Sequence, residues 1–289
     1  MAAPGEGCIC VDGRVFAPRE ATVSALDAGL MLGDGLFESL RAIGGVPYLL
    51  DRHLERLLAG VNDLGFAGVP AYEELVDQVR RTILEAALED AYVRVTITRG
   101  RSSAALAPAL GPATVIVAVL PAPAVSLAPV LAAQVGAPGA PGAGAKSTSR
   151  QQAVLARVRA QRLGAQEGIY VGQDGQVLEG LSSNVFVWEG ERLLTPPRAQ
   201  CLPGITRGRV LELARDAGVT TLEQPVSVSA LLSAEAAFLT NAVQGLRTLG
   251  ALDGVAIAMS GAGAQLLTAL RKRYESERTA SAALGATPA

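Results

Sequence analysis

Histidine and lysine are scarce in this 289-residue sequence, which contains one histidine, His53, and two lysines, Lys146 and Lys272. A single histidine excludes metal sites built from several histidines, and any Ser-His-Asp or Cys-His mechanism would depend on His53 alone. His53 opens a segment in which leucine and valine recur at helical spacing. We therefore interpret His53 as a packed helix residue.

Cysteine is also rare, and its three copies are Cys8, Cys10 and Cys201. An odd number of thiols with one Cys-x-Cys pair lacks the spacing of a metal finger, so no metal site is predicted. The 25 basic and 27 acidic residues give a net charge of −2, which supplies neither a basic surface for nucleic acid nor a charge run for a membrane. A small-molecule partner is expected.

Targeting and membrane signals are absent as well. The first residues lack the basic start and apolar run of a signal peptide, and no stretch of about 18 apolar residues occurs elsewhere. We expect a cytoplasmic enzyme.

The succession of strand-like and helix-like segments predicts an α+β fold with two domains. With 49% hydrophobic residues, the chain is long enough for more than one core. A small domain is predicted at 1–119, a proline-containing linker at 120–127 and a larger domain at 128–275. The small and polar residues 276–289 predict a disordered tail.

Periodicity and turn signals place the individual elements. Strands are predicted at 8–11, 14–16, 36–42, 46–50, 92–98, 114–119, 168–171 and 184–188. Helices are predicted from His53 and over 72–87, 152–162, 206–217 and 262–275.

The two lysines differ in their surroundings. Lys272 lies in a charge run near the end of the last predicted helix, which favours a solvated surface. Lys146 follows the small-residue run 136–145 and precedes a predicted helix. A desolvated lysine amine can lose its proton and form an imine with a carbonyl, which arginine cannot. A nucleophile and a surface lysine explain Lys146 equally well on this evidence alone.

Two loops carry groups suited to an anion. Residues 201–206 lead through a Pro-Gly pair into a helix at Thr206, where backbone N–H groups, the helix dipole and a hydroxyl favour a phosphate. Thr240 and Asn241 follow a strand-like segment and offer further donors. Between Lys146 and these two loops, Glu179 is a carboxylate that can hold a pyridine nitrogen protonated. A capped helix, an ordinary loop and a surface glutamate are the alternatives.

Five ordered motifs together resemble the class IV aminotransferase family. They are Gly33–Ser39, His53–Leu57, Lys146, Glu179–Phe186 and Leu202–Arg207. The resemblance spans nearly the whole chain and implies a fold type IV enzyme, with a small N-terminal α/β domain and a larger C-terminal pseudo-barrel domain. It also implies the cofactor pyridoxal 5'-phosphate (PLP) and a homodimer in which the partner subunit completes the active site.

The resemblance also implies roles for single residues. Lys146 would form the Schiff base and shuttle the substrate α-proton, Glu179 would contact the pyridine nitrogen, and Arg56 would bind phosphate. The full implied set of cofactor-binding residues is Arg56, Lys146, Glu179, Ser183, Asn184, Ile205, Thr206, Thr240 and Asn241. The implied substrate-binding residues are Phe37, Tyr92 and Arg94.

Three functions remain open at this point. The first is an aminotransferase that moves an amino group between an amino acid or amine and a 2-oxo acid. The second is an aminodeoxychorismate lyase that yields 4-aminobenzoate and pyruvate, which Arg150 and Gln151 favour; Glu38 disfavours it because one lyase type has a catalytic threonine there. The third is a catalytically silent cofactor-binding protein, against which the presence of Lys146 and Glu179 argues.

Overall fold

The computed structural model describes residues 5–102, 111–136 and 145–285, and the chain divides into two compact units. The first unit comprises Met1–Ala124, Ala145–Arg150 and Arg278–Ala289, and the second comprises Val125–Gly144 and Gln151–Glu277. Both contain helices and strands, which confirms the predicted α+β class. Within the ranges that the structure describes, no helix is long and apolar enough to cross a membrane.

The first unit is built on a six-stranded antiparallel sheet. Its elements are β1 (Cys8–Val11), β2 (Arg14–Phe16), α1 (Ala28–Met31), β3 (Gly35–Ile43), β4 (Val46–Pro47), α2 (Leu50–Asp63), α3 (Tyr72–Ala86), β5 (Asp90–Thr98) and β6 (Thr114–Pro121). The strand order is β2-β1-β6-β5-β3-β4.

Helices α2 and α3 contribute to the core of this unit because their apolar residues recur every three or four positions. On α2 these are Leu50, Leu54, Leu57 and Val61, all buried. They share one cluster with alternate residues of β3, β5 and β6. The alternation of a strand leaves the other side chains, including Phe37 and Arg94, on the opposite face of the sheet.

The second unit is built on a ten-stranded mixed sheet. Its strands are β7 (Val130–Gly136), β8 (Glu167–Val171), β9 (Gln176–Gly180), β10 (Asn184–Glu189), β11 (Arg192–Thr195), β12 (Thr220–Glu223), β13 (Val226–Ser227), β14 (Ala236–Asn241), β15 (Gly245–Leu252) and β16 (Val255–Ala256). Its helices are α4 (Gln151–Arg162), α5 (Ile205–Asp216), α6 (Val228–Ser233) and α7 (Gly261–Gly285), the last of which continues into residues of the first unit. The order is β12-β11-β10-β14-β15-β7-β8-β9-β13, and β16 pairs with β15.

The sheet of the second unit surrounds its own apolar cluster. Val185 and Val187 of β10, Leu239 of β14 and Leu249 of β15 belong to it. Strands β7 and β8 are parallel neighbours, and the chain between them contains Lys146 and α4. A parallel pair requires such a long crossover connection.

The structure corrects the predicted position of Lys146 within the domains. Residues 145–150 fall in the first unit, whereas the sequence placed Lys146 in the domain at 128–275. This segment pairs with β3 through its backbone. It therefore groups with the first unit, while the chain on either side of it groups with the second. Most of the small-residue run at 136–145 lies outside the described residues.

Two further boundaries differ from the prediction. Helix α7 continues to Gly285, although 276–289 was predicted to be disordered; the ion pair of Arg209 with Glu277 and the buried Arg278 hold this part of the helix. Strand β4 ends at Pro47 and not at residue 50. Leu49 adopts a left-handed conformation with φ 55°, which ends the extended chain and starts α2 at Leu50.

Candidate active site

Backbone pairing holds Lys146 at the start of β3. The Phe37 N–H donates to the Lys146 carbonyl at 2.9 Å, and the Thr148 N–H donates to the Gly35 carbonyl at 2.8 Å. The Thr148 hydroxyl donates to the Gly33 carbonyl at 2.7 Å. Since β4 pairs only with the far end of β3, the lysine segment occupies the edge that β4 leaves open.

The Lys146 amine is partly buried and lies 5.1 Å from the centre of the Phe37 ring. Burial lowers its pKa to about 8, an effect that Glu38 opposes and that the guanidinium groups of Arg56, Arg150 and Arg94 reinforce. Roughly a tenth of such amines are neutral at pH 7, far more than for an ordinary lysine. This larger neutral fraction makes the Lys146 amine more nucleophilic than an ordinary lysine amine at pH 7.

The predicted substrate residues Phe37, Tyr92 and Arg94 lie on one face of the β3–β5 pair. The Arg94 guanidinium stacks on the Phe37 ring at 3.6 Å, and its Nε donates to the Thr96 hydroxyl at 3.3 Å. The Tyr92 hydroxyl shares a hydrogen bond of 3.1 Å with the Ser39 hydroxyl. An aromatic surface with a cation thus faces the same side as Lys146.

Arg56, the predicted phosphate ligand, is already held by a carboxylate. Its Nε donates to Glu38 Oε1 at 2.7 Å and its Nη2 to Glu38 Oε2 at 2.8 Å. His53 Nδ1 lies 2.7 Å from the same Oε2. Burial raises the pKa of Glu38, but the hydrogen bonds from His53 and Arg56 outweigh it and bring the pKa to about 2.

In the second unit, Glu179 of β9 is joined to the chain that precedes α5. Its Oε2 accepts the Leu202 N–H at 2.9 Å. The Asn184 amide donates to the Leu202 carbonyl at 2.9 Å and approaches Glu179 Oε2 at 3.5 Å. These bonds fix the direction of the Glu179 carboxylate and of the Asn184 side chain.

Two predicted cofactor residues carry buried hydroxyls that lack a partner. Ser183 Oγ and Thr240 Oγ1 accept and donate no hydrogen bond among the described residues, and both residues are more than nine-tenths buried. Such atoms cost free energy unless a ligand or water satisfies them. The two hydroxyls fit a bound group rich in oxygen, as a phosphate is.

Two glycines permit a close approach of side-chain oxygens that a Cβ would prevent. A Cβ on Gly180 would meet Ser183 Oγ at 2.2 Å, and a Cβ on Gly204 would meet Asn184 Oδ1 at 2.0 Å. Gly204 is the N-cap of α5, and no side chain caps this helix end. The first N–H groups of a helix have no intrahelical acceptor, so Ile205 and Thr206 present donors to an anion.

Thr206 and Asn241, two further predicted cofactor residues, form hydrogen bonds within the second unit. Thr206 Oγ1 shares a hydrogen bond of 3.2 Å with the Tyr274 hydroxyl. Asn241 Oδ1 accepts the N–H groups of Val243 and Gln244 at 3.0 and 2.7 Å. Thr206 is therefore oriented by α7, and Asn241 shapes the loop after β14.

The structure distributes the predicted residues between the two units. The first unit brings together Phe37, Arg56, Tyr92, Arg94 and Lys146, and the second holds the other seven. Sequence reasoning gave Glu38 no partner, did not single out Thr148, and assigned His53 to simple packing. A signal was available for Glu38, since a carboxylate within a predicted apolar strand requires a partner.

Known proteins resemble this chain along most of its length. The family model "Amino-transferase class IV" matches residues 35–251. A putative branched-chain-amino-acid aminotransferase of Methanocaldococcus jannaschii is 31% identical over 283 residues, which cover 94% of this chain and 96% of the relative. The aminodeoxychorismate lyase of Bacillus subtilis is 31% identical over 244 residues, which cover 81% and 83% of the two chains.

A solved structure agrees with these matches. The crystal structure of a branched-chain aminotransferase from Thermoproteus uzoniensis with norvaline has a TM-score of 0.83 and 27% identity, over 93% of this chain and 94% of that one. The family model covers well over half of the chain, and the fold has fold type IV neighbours. The chain therefore belongs to the class IV aminotransferases, a family of fold type IV enzymes that use PLP.

Proposed function

We propose that the chain is an aminotransferase that moves an amino group between an amino acid and a 2-oxo acid, with Lys146 as the residue that binds PLP covalently. The observation that carries this proposal is the environment of Lys146. Its amine is partly buried beside Phe37, its pKa is lowered to about 8 by burial, and among the described residues it has no ion pair.

The orphaned hydroxyls and the uncapped start of α5 support the predicted cofactor residues. Ser183, Asn184, Ile205, Thr206, Thr240 and Asn241 would hold the cofactor together with Arg56, and Glu179 would keep its pyridine nitrogen protonated. When bound, PLP supplies an electron sink for the bond that breaks at the substrate α-carbon. The neutral Lys146 amine would take the α-proton and return a proton to the product side.

For the substrate, we propose amino acids with aliphatic side chains. The Phe37 ring and the Tyr92 ring offer apolar surface, while Arg94 offers a cation for a carboxylate. In the part of the chain that the structure describes, Arg94 has no ion pair and only one hydrogen bond, to Thr96. The names of the M. jannaschii and T. uzoniensis relatives support the same class of substrate.

Glu38 favours the aminotransferase over the lyase. Both of its oxygens accept hydrogen bonds, and its pKa of about 2 leaves it ionised at neutral pH. It therefore offers neither a hydroxyl nor an acidic proton at the position where one lyase type has its catalytic threonine. The lyase stays as the second candidate because of the B. subtilis relative and because Arg150 follows four residues after Lys146.

We also propose that the protein is a homodimer whose partner subunit completes the site. Apolar side chains on the first unit support a protein contact, since Val23, Leu26, Leu30, Met31 and Leu32 lie within ten residues and are each more than a third exposed. Sedimentation of the purified protein tests this, and a monomer at micromolar concentration contradicts it.

The decisive experiment supplies the PLP-loaded protein with each candidate substrate separately. Glutamate formed from L-leucine and 2-oxoglutarate supports the proposal, with D-alanine and a primary amine as alternative donors. Pyruvate and 4-aminobenzoate formed from aminodeoxychorismate, without glutamate, support the lyase. A protein that binds PLP but converts none of these substrates supports the silent cofactor-binding protein.

A further inference from the structure

A segment with three prolines, residues 196–204, connects β11 to α5 and carries the Leu202 N–H that donates to Glu179. Proline has no N–H, so this segment has fewer backbone donors than an ordinary loop. One bond within it joins the Gln200 N–H to the Pro197 carbonyl at 2.9 Å. Side-chain contacts must therefore contribute to the position of the segment.

Arg207, in the first turn of α5, binds back to the start of this segment. Its Nη2 donates to the Pro196 carbonyl and to Glu223 Oε2, both at 2.8 Å, and its Nε donates to the Thr195 hydroxyl at 3.3 Å. With 1% of its surface exposed, Arg207 is among the largest fully buried side chains of the described residues. One side chain thus joins the helix that follows the segment to the residue that begins it.

The later part of the segment is bound as well. The Cys201 thiol lies 3.4 Å from the Pro197 carbonyl oxygen and 3.6 Å from that of Pro196. The next residue, Leu202, donates its N–H to Glu179 Oε2 at 2.9 Å. Because Cys201 and Leu202 are adjacent, bonds made at the start of the segment act on the group that holds Glu179.

Compensation of charge does not account for all the contacts of Arg207. A buried guanidinium is costly unless it is paired, and Glu223 supplies the opposite charge. Arg198 lies 3.5 Å from the same Glu223 oxygen, but its side chain is 66% exposed. Arg207 differs by its further bond to the Pro196 carbonyl. The two arginines therefore form a matched pair, in which one binds the backbone of the segment from inside the protein.

We propose that Arg207 is a positioning residue that closes the segment 196–204 on α5, holds the Leu202 N–H against Glu179 and so fixes the direction of this carboxylate. The inference rests on the proposed role of Glu179 toward the pyridine nitrogen of the cofactor. It gives Arg207 an effect on PLP affinity that passes through Glu179 and requires no contact between Arg207 and the cofactor.

Cys201 reports on the segment in the full chain without PLP. C8A/C10A leaves Cys201 as the last thiol. It is 4% exposed, and burial raises its pKa to about 11, so iodoacetamide reacts with it when the segment opens. R207M should raise the rate of alkylation by about 10-fold or more, because a hydrogen bond from a charged group is lost. R198Q, a change at the exposed arginine beside the same carboxylate, should leave the rate unchanged.

A double-mutant cycle on PLP affinity separates the positioning of Glu179 from general stability. R207M should weaken PLP binding by about 10-fold in the parent but by less than about 2-fold in the E179A background, where the carboxylate is already removed. Absorbance titration measures the four affinities, and circular dichroism checks folding. If R207M does not fold, R207K carries the test. Its ammonium ends one atom short of the Nη2 position, so smaller changes in the same directions are expected.

The inference is overturned if R207M leaves the alkylation of Cys201 unchanged, or if it weakens PLP binding equally in both backgrounds. A rate that is insensitive to dilute urea comes from local opening and not from unfolding of the whole unit. An E179A variant that binds PLP as the parent does would contradict the role of Glu179 and, with it, this inference. Because neither measurement needs a substrate, a protein that gives both expected results without transamination would contradict the proposed reaction alone.

Discussion

The predicted site residues of the two units differ in how their polar groups are satisfied. Around Lys146 in the first unit, the charged groups satisfy one another: Glu38 binds His53 and Arg56, and only the lysine amine is left without a hydrogen bond among the described residues. In the second unit, the hydroxyls of Ser183 and Thr240 are buried without partners. On the proposed function, the first unit would supply the reactive amine, and the second would supply hydroxyls for the bound cofactor.

The largest effect is expected when the Lys146 amine is removed. K146A should reduce transamination by at least about 10³-fold, because both the covalent attachment and the proton transfer depend on this atom. K272A removes the other lysine, which is exposed, and should leave the rate unchanged. Borohydride reduction followed by mass spectrometry should find the PLP mass on the Lys146 peptide alone. PLP on the Lys272 peptide would refute the assignment.

The second unit should be disrupted most by a methyl group at Gly204. A Cβ there would lie 2.0 Å from Asn184 Oδ1, so G204A should displace the side chain that links Glu179 to the chain before α5. A clash of this kind costs roughly 1–3 kcal/mol of folding stability, and the displaced Asn184 side chain should also weaken PLP binding. Absorbance titration with PLP measures the affinity of the variant for the cofactor.

Gly208 provides the matched control on the same helix. A Cβ there would meet nothing within 4 Å, and alanine favours a helix over glycine by about 1 kcal/mol. G208A should therefore bind PLP as the parent does and unfold at a slightly higher temperature. Equal PLP affinities for G204A and G208A would show that the approach of Asn184 to Gly204 is unimportant for binding.

The ionisation of Glu38 in the first unit should make the free energy of unfolding depend on pH. The pKa of Glu38 is lowered from 4.5 to about 2 in the folded chain, so the unfolded chain binds the proton more tightly. Ionised Glu38 therefore contributes about 3 kcal/mol to the free energy of unfolding. This contribution is complete above pH 4.5 and is lost as the pH falls through 2. Urea unfolding at several pH values measures this change.

E38Q and E55Q sharpen the interpretation of that experiment. E38Q should be much less stable than the parent at pH 7, and the difference should shrink as the pH falls toward 2. E55Q changes an exposed carboxylate and should follow the parent curve throughout. A constant difference between E38Q and the parent at every pH would mean that the ionisation of Glu38 contributes nothing to stability.

Sequence reasoning predicted the elements of the two units with unequal success. Helix α2 was predictable because its leucines repeat at helical spacing, and Lys146, Glu179 and Thr206 stood out by residue type and motif. Strand β7 was missed because Val130–Gly136 is rich in alanine and mixes with small residues. The contact of Lys146 with β3 joins residues more than 100 positions apart, and no local pattern encodes such a pairing.

The same limit explains why Glu38 was assigned a position but no partner. His53 and Arg56 lie 15 and 18 residues away along the chain, and only the packing of α2 on β3 brings them to the carboxylate. The orphaned hydroxyls were equally hidden, since a sequence shows that Thr240 has a hydroxyl but not that its neighbours leave it unsatisfied.

The smallest expected effect concerns the Thr240 hydroxyl. T240V keeps the shape of the side chain and removes a buried polar atom without a partner, so the PLP-free protein should be as stable as the parent or more stable. PLP binding should weaken by about 3- to 10-fold, because one hydrogen bond to the ligand is lost. Thermal unfolding without PLP and absorbance titration with PLP measure the two quantities.

Thr195 is the matched control because its hydroxyl is equally buried but satisfied, donating to the Val185 carbonyl at 2.8 Å. T195V should destabilise the PLP-free protein by about 1–3 kcal/mol and leave PLP affinity unchanged. Opposite patterns in T240V and T195V would establish that the second unit reserves the Thr240 hydroxyl for its ligand. If T240V instead destabilises the PLP-free protein as T195V does, the Thr240 hydroxyl already has a partner, and the contrast between the two units disappears at this position.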